Sequence, residues 1–249
     1  MRIAVIAAIH RNSLALDAVL EDLRPVHADV LVNLGDSFNG PIDPAAVARR
    51  LRALADVVHV RGNGERLITS SDSNVSRATL FTRERLSADD LRFAASWPAT
   101  CSRDGWLACH GSPRSDTDQL LEKVGPAGVA LKTSAEIIAV LGETTESLIF
   151  CAHTHLPRTV RLQDARIVVN PGSVGLQAYH DKTPVPHSMD NGSPYARYAV
   201  VEQTKAGWSV ALKAIPYDWE AAAEIAERNG FPEWAPYLRT GYTGKPAVG

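Results

Sequence analysis

The chain has 249 residues, enough to bury a full core as one large domain. Hydrophobic residues make up 45% and charged residues 22% of it, ordinary globular usage that excludes a disordered chain. With a net charge of −2 and no run of five or six basic residues, it advertises no nucleic-acid-binding or lipid-binding tail, so a small anionic partner has to be held by local geometry.

Residues 1–6 run straight into an apolar strand pattern without the n-region and cleavage site of a signal peptide, which predicts a cytoplasmic chain. No window approaches 18 consecutive apolar residues, so no membrane span is expected. Residues 3–9 read as a strand, and Leu16, Val19, Leu20 and Leu23 lie on one face of a helix opening near Asn12 or Ser13. A second strand over 29–34, a helix over 44–54 and a third strand over 56–60 complete three β-α repeats, which imply a parallel sheet. Residues 70–100 are polar and mostly helical, after which Asp104-Gly105 joins two short strands, the second over 106–110. Helices are expected near 117–124 and 134–142, a strand over 147–152, and a hairpin over 158–169 turning at Gln163-Asp164. Residues 176–194 read as a long functional loop, 195–203 and 207–214 as an antiparallel pair, and 217–228 as a closing helix. The reading is one domain over 1–249, with 232–249 as a surface extension. Cys101, Cys109 and Cys151 are odd in number and lack C-x-x-C spacing, so they are expected to be buried, reduced thiols.

Five segments carry metal-type side chains where strand signals end: Ile9-His10-Arg11-Asn12, Gly35-Asp36, Gly62-Asn63-Gly64-Glu65, Cys109-His110-Gly111 and Ala152-His153-Thr154-His155. Open α/β sheets bind ligands outside the carboxyl ends of their strands, so these segments are expected to converge on one crevice. Imidazole suits zinc, iron, manganese and nickel, and a carboxylate can bridge two cations.

The order of these blocks, followed by Val169-Asn170-Pro171-Gly172-Ser173-Val174-Gly175, resembles the calcineurin-like metallophosphoesterases, in particular the small bacterial phosphodiesterase and phosphatase branch. The resemblance covers roughly residues 2–214. It implies a four-layer α-β-β-α sandwich, two mixed β-sheets flanked by helices. It also implies two divalent cations (manganese, iron, zinc or nickel), the first held by His10, Asp36 and His155, the second by Asp36, Asn63, His110 and His153, with Asp36 bridging. Asp36 and Asn63 are then the catalytic candidates. Cations roughly 3.5–4 Å apart would share a hydroxide nucleophile for in-line attack.

Three positions depart from the pattern. Ala8 stands where the family places a metal-ligand aspartate, which predicts a weak or empty first site and reduced turnover, whether the change is natural or engineered. Arg11 replaces the usual glycine and has two readings: a bidentate phosphate clamp, or a solvated arginine at a helix start. Gly64 replaces a leaving-group histidine of many phosphatases, which favours activated esters, diesters or anhydrides.

Asn63 and His180 join Arg11 as candidate substrate contacts. His27, His59 and His187 read as packed or exposed side chains, Ser173 as a phosphate contact or a turn residue, and Glu65 and Arg66 as supporting or surface groups. The function expected is metal-dependent hydrolysis of a small phosphorylated or nucleotide-like substrate. The rivals are a non-catalytic protein-binding scaffold, as in the retromer subunit that resembles this family, and a dinucleoside polyphosphate or protein phosphatase.

Overall fold

The computed structural model describes residues 1–244, so the last residues of the expected C-terminal extension lie outside the described part. In chain order the elements are β1 (Arg2–Ile6), α1 (Ser13–Leu23), β2 (Val30–Asn33), α2 (Pro44–Ala53), β3 (Val57–His59), α3 (Asn63–Thr69), α4 (Arg77–Arg83) and α5 (Ala88–Ala95). There follow β4 (Thr100–Arg103), β5 (Trp106–Cys109), β6 (Glu122–Gly125), β7 (Gly128–Leu131), α6 (Ser134–Leu141), β8 (Leu148–Phe150), β9 (Arg158–Arg161) and β10 (Ile167–Asn170). The chain ends through β11 (Ala178–Asp181), β12 (His187–Asp190), β13 (Ala196–Thr204), β14 (Gly207–Ile215), α7 (Trp219–Arg228) and α8 (Ala235–Thr240).

Two five-stranded mixed sheets, ordered β14-β13-β1-β2-β3 and β4-β5-β8-β10-β9, form the centre. β1, β2 and β3 run parallel, as three β-α repeats require, and β13 returns antiparallel to β1. Period-2 alternation sorts the apolar residues into layers. Ile3, Val5 and Val32 of the first sheet meet Trp106, Leu148, Phe150 and Val169 of the second between the sheets. Ile6 faces outward onto Leu16, Val19, Val47 and Leu51 of α1 and α2, while Leu107, Ile149 and Val168 face outward onto Ile137 and Leu141 of α6. Strands apolar on both faces are what a sheet covered on both sides demands.

Several boundaries follow from local chemistry. The Asn12 side chain caps α1 by accepting from Ala15 N, and Asp43 caps α2 by accepting from Ala46 N with Pro44 at the first helical position. The helix expected near 117–124 is absent: residues 117–121 are turn, bend and irregular backbone, and β6 follows, joined to β7 through a turn at Pro126, with Gly128 at a φ of 100°. Residues 176–194 form the β11–β12 hairpin rather than an open loop. α7 does not close the chain: α8 packs back on it through Ala222, Ala226, Ala235 and Leu238, with Ile42 and Leu176 beneath. All three cysteines are free; Cys109 and Cys151 are buried and Cys101 half-buried, and burial pushes the Cys109 thiol up to about 12. Among the described residues, no helix is long and apolar enough to cross a membrane.

Candidate metal centre

The loops after β1, β2, β3, β5 and β8 meet at one end of the two sheets, and there His10, Asp36, Asn63, His153 and His155 line one cavity of about 200 Å³. His110 lies against Asp36, with Nε2 3.4 Å from Oδ2, an ion-pair distance rather than a good hydrogen bond. Among the described residues, no three His, Cys, Asp or Glu side chains already close on a single ion. What is formed is a set of pairs: His10 Nε2 and His155 Nε2 lie 3.0 Å apart, and His110 sits on Asp36.

The turns that carry these side chains are conformationally costly. Among the described residues, six of the ten non-glycine residues with positive φ lie here: Ala8, His10, Arg11, Asp36, His153 and His155. Left-handed residues cost on the order of 1–3 kcal/mol each and persist where surrounding structure over-determines them, so their clustering marks a built site. Ala8 is held by its N–H to Gly35 O and by Gly175 N–H and Ser173 Oγ donating to its carbonyl. The φ of 50° at Ala8 is one that aspartate or asparagine adopts more readily than alanine.

Backbone carbonyls set the tautomers. A carbonyl only accepts, so the contacts of His10 Nδ1 with Asn39 O (2.6 Å) and His110 Nδ1 with Leu34 O (2.7 Å) place a proton on each Nδ1. In the neutral rings Nε2 is then the bare, ligating nitrogen. His110 Nε2, His155 Nδ1 and Asn63 Oδ1 are buried without a hydrogen-bond partner. Unpartnered nitrogen and oxygen atoms of this kind around a cavity that Asp36 lines fit a divalent cation, whose binding would displace the His110 Nε2 proton, better than they fit any described group of the chain.

Electrostatics favour the neutral, ligating ring at His10, His153 and His155, whereas His110 without a cation is held protonated by Asp36. Burial pushes His153 down to about 4, with His110 adding to the effect, and burial also lowers His10 and His155. Burial opposes charge on His110 too, but Asp36, the Leu34 carbonyl and Glu65 outweigh it and hold it at about 9. Burial would raise Asp36, yet His110, His10 and the Gly64 N–H keep it below the usual carboxylate range.

Glu65 has a larger part than its sequence context indicated. Its fully buried carboxylate accepts from the backbone N–H groups of Asp36 (2.7 Å), Ser37 (2.7 Å), Phe38 (3.2 Å) and Gly62 (2.9 Å), tying the Asp36 loop to α3. Burial, then the nearby Asp36 charge, raise its pKa. Gly62 and Gly64 allow this approach: a Cβ at Gly62 would collide with Asp36 Oδ1, and one at Gly64 would come within 2.9 Å of Asn39 Cβ.

Arg11 fits neither of its expected roles. It is neither solvated nor open to the cavity: the guanidinium is buried, donates to Gly40 O and Thr82 Oγ1 (2.7 Å), and lies 4.8 Å from the Phe81 ring centre. Burial, with Arg85 adding to it, pushes the pKa down to about 9. His180 is likewise turned away. In β11, alternate side chains face opposite sides, so Tyr179 and Asp181 line the cavity while His180 is exposed and meets Ser188 Oγ at 2.9 Å. Ser173 is a turn residue, its hydroxyl donating to Ala8 O and accepting from Leu176 N. His59 stacks on Trp97 at 4.4 Å, and His187 packs with Nδ1 on Val185 O.

The sequence reading did not name Asn39, Leu176, Tyr179, Asp181 or Trp234 as cavity residues, although the 176–194 segment expected to shape the pocket supplies Leu176, Tyr179 and Asp181. For Tyr179 and Asp181, strand alternation through 178–181 was a usable signal once a hairpin replaced the loop. For Trp234 no local signal exists.

A profile described as the calcineurin-like phosphoesterase superfamily domain matches residues 1–191. The protein MJ0912 of Methanocaldococcus jannaschii, described as uncharacterized, is 23% identical over 93% of this chain and 94% of its own length. A crystal structure of a metallophosphoesterase from Sphaerobacter thermophilus superposes with a TM-score of 0.76 at 24% identity, covering 97% of this chain and 100% of that one. The hypothetical protein PH1004 of Pyrococcus horikoshii gives 0.74 at 18% identity, covering 98% and 99%.

Proposed function

The chain belongs to the calcineurin-like phosphoesterase superfamily, and from that premise we propose that it hydrolyses a phosphoester at a centre for two divalent cations. His10, Asp36 and His155 would hold one cation and Asp36, Asn63, His110 and His153 the other, manganese being the first candidate. The proposal includes a single domain over residues 1–249 acting in the cytoplasm on a small phosphorylated or nucleotide-like substrate. The observation that carries it is that His110 Nε2 and Asn63 Oδ1 are buried without a hydrogen-bond partner at the cavity that His10, Asp36, His153 and His155 line.

When bound, such cations supply Lewis acidity at the phosphoryl oxygens and lower the pKa of a bound water. The protein's own groups do the rest. The Asn39 and Leu34 carbonyls keep the His10 and His110 protons on Nδ1, so both rings present Nε2 inward. Glu65 holds the Asp36 loop in register, and Gly64 N–H donates to Asp36 Oδ1 (2.7 Å), orienting the carboxylate. Gly64 supplies no acid for the leaving group, so the proposal favours esters whose alcohols leave without protonation. Ala8 removes one anionic ligand from the first site, and we attribute to it a weaker first cation and slower turnover.

The test is cation content per chain after manganese loading, paired with hydrolysis of bis-p-nitrophenyl phosphate. Near two cations with turnover supports the hydrolase. One cation without turnover would mean a disabled centre, and none would favour a scaffold of the same fold.

A further inference from the structure

The cavity beside the proposed cations has an aromatic wall that comes partly from outside the family-matched residues. Trp234, in the short 3₁₀ turn Pro232–Trp234 that leads into α8, lies with its ring edge-to-face to His10 at 6.0 Å, and Tyr179 lies edge-to-face to His155 at 4.8 Å. Leu176 completes this wall. Trp234 is held from behind: Ala222, Ala226, Ala235 and Leu238 fix α7 and α8 against each other, and the Tyr179 hydroxyl donates to His153 O at 3.0 Å. Trp234 itself stays half-exposed, so its ring is available to a ligand.

Charge is distributed in a way that selects further. Among the described residues, no lysine or arginine lines this cavity, nor the adjoining one of about 470 Å³, which shares Asn63, His153 and Asp181 with it and adds Asp118. Arg66, on the nearby first turns of α3, is already engaged by both carboxylate oxygens of Asp116. Past the cation ligands, then, the walls offer carboxylates and apolar rings but no counter-charge for a second anionic group. A polyphosphate chain would extend negative charge toward Asp118 and Asp181, and a phosphomonoester, with one ester group, would leave one of the two adjoining cavities unfilled, whereas a diester fills both and keeps a single charge at the centre.

We infer that the substrate is a monoanionic phosphodiester with an aryl or nucleobase-type group on one ester oxygen, and that Trp234 is the residue that selects for that group. The inference rests on the hydrolase reading and narrows it. An aromatic group seated between Trp234 and Tyr179 would gain edge or offset ring contacts in a half-buried place, and its second ester arm would pass Asp181 into the adjoining cavity.

The experiment compares wild type, Trp234→Ala and Trp234→Phe after manganese loading, on bis-p-nitrophenyl phosphate and on p-nitrophenyl phosphate. We expect wild type to favour the diester in kcat/KM. We expect Trp234→Ala to raise KM for the diester about tenfold, with kcat within about twofold, a loss of one ring contact. Trp234→Phe should recover most of that loss. A second readout, calorimetric titration of the manganese-loaded proteins with diphenyl phosphate, should show the same weakening in Trp234→Ala alone. An unchanged KM and unchanged diphenyl phosphate affinity in Trp234→Ala would overturn the role of Trp234, and a wild-type preference for the monoester would overturn the substrate class. If no ester is hydrolysed, the hydrolase reading fails, while the diphenyl phosphate titration still decides whether Trp234 holds an aromatic phosphodiester.

Discussion

Replacing Glu65 with glutamine preserves volume and shape but exchanges one carboxylate oxygen for an amide nitrogen. Oε2 accepts from Asp36 and Gly62, and Oε1 from Ser37 and Phe38. Whichever oxygen is replaced, two backbone N–H groups then face a donor, and turning the amide over only exchanges one pair for the other. Hydrogen bonds to charged groups contribute about 1.5–3 kcal/mol each, so two lost bonds come to about 3–6 kcal/mol, and the surviving pair weakens as its acceptor loses charge. Glu65 is fully buried, so water does not replace the lost acceptor. At about 2–4 °C per kcal/mol for a chain of this size, the thermal midpoint should fall by about 6–24 °C. Urea denaturation of metal-free Glu65→Gln against wild type measures this directly. A loss below about 1 kcal/mol would refute the reasoning, because it would mean that Glu65 is protonated in the fold, with glutamine as its near isostere, or that the Asp36 loop is held by other bonds.

Ala8→Asp should raise manganese affinity and bis-p-nitrophenyl phosphate hydrolysis by about tenfold or more. It should also destabilise the metal-free protein, since position 8 is fully buried and a carboxylate there has no cation to face; thermal melts with and without manganese check both signs. Arg11→Met should leave stability within about 1 kcal/mol of wild type, because the lost bonds to Gly40 and Thr82 are offset by relief of a buried charge with no carboxylate partner. Phosphate affinity should not change, and a weakened one would return Arg11 to the site. Manganese at a hundred times its dissociation constant should stabilise the chain by about 2.7 kcal/mol. His155→Ala should lose most of that gain from the first cation, as read by differential scanning fluorimetry across a manganese series.

The places where sequence and structure parted share a cause. The β-α repeats and strand-end motifs were legible because each rests on local periodicity plus the handedness of the crossover, both written within stretches of about 30 residues. The hairpins β6–β7 and β11–β12 were not, since short, weakly apolar strands carry little alternation and only pairing distinguishes them from helix or loop. Glu65 looked like a supporting group because its partners are backbone N–H groups of residues 36–38, invisible as side-chain types in the sequence.

By itself the sequence determined the α/β class, the first parallel strands and the convergence of His10, Asp36, Asn63, His110, His153 and His155 at one end of the strands, because parallel strands all finish on the same side. Tertiary structure alone decided where the remaining side chains point. Arg11 follows a left-handed turn, φ 64°, into the interior, and Trp234 reaches His10 across more than two hundred residues of chain. Both outcomes depend on which surfaces are brought together when the C-terminal helices and the Asp36 loop pack, and packing between distant segments leaves no periodic trace in the order of residues.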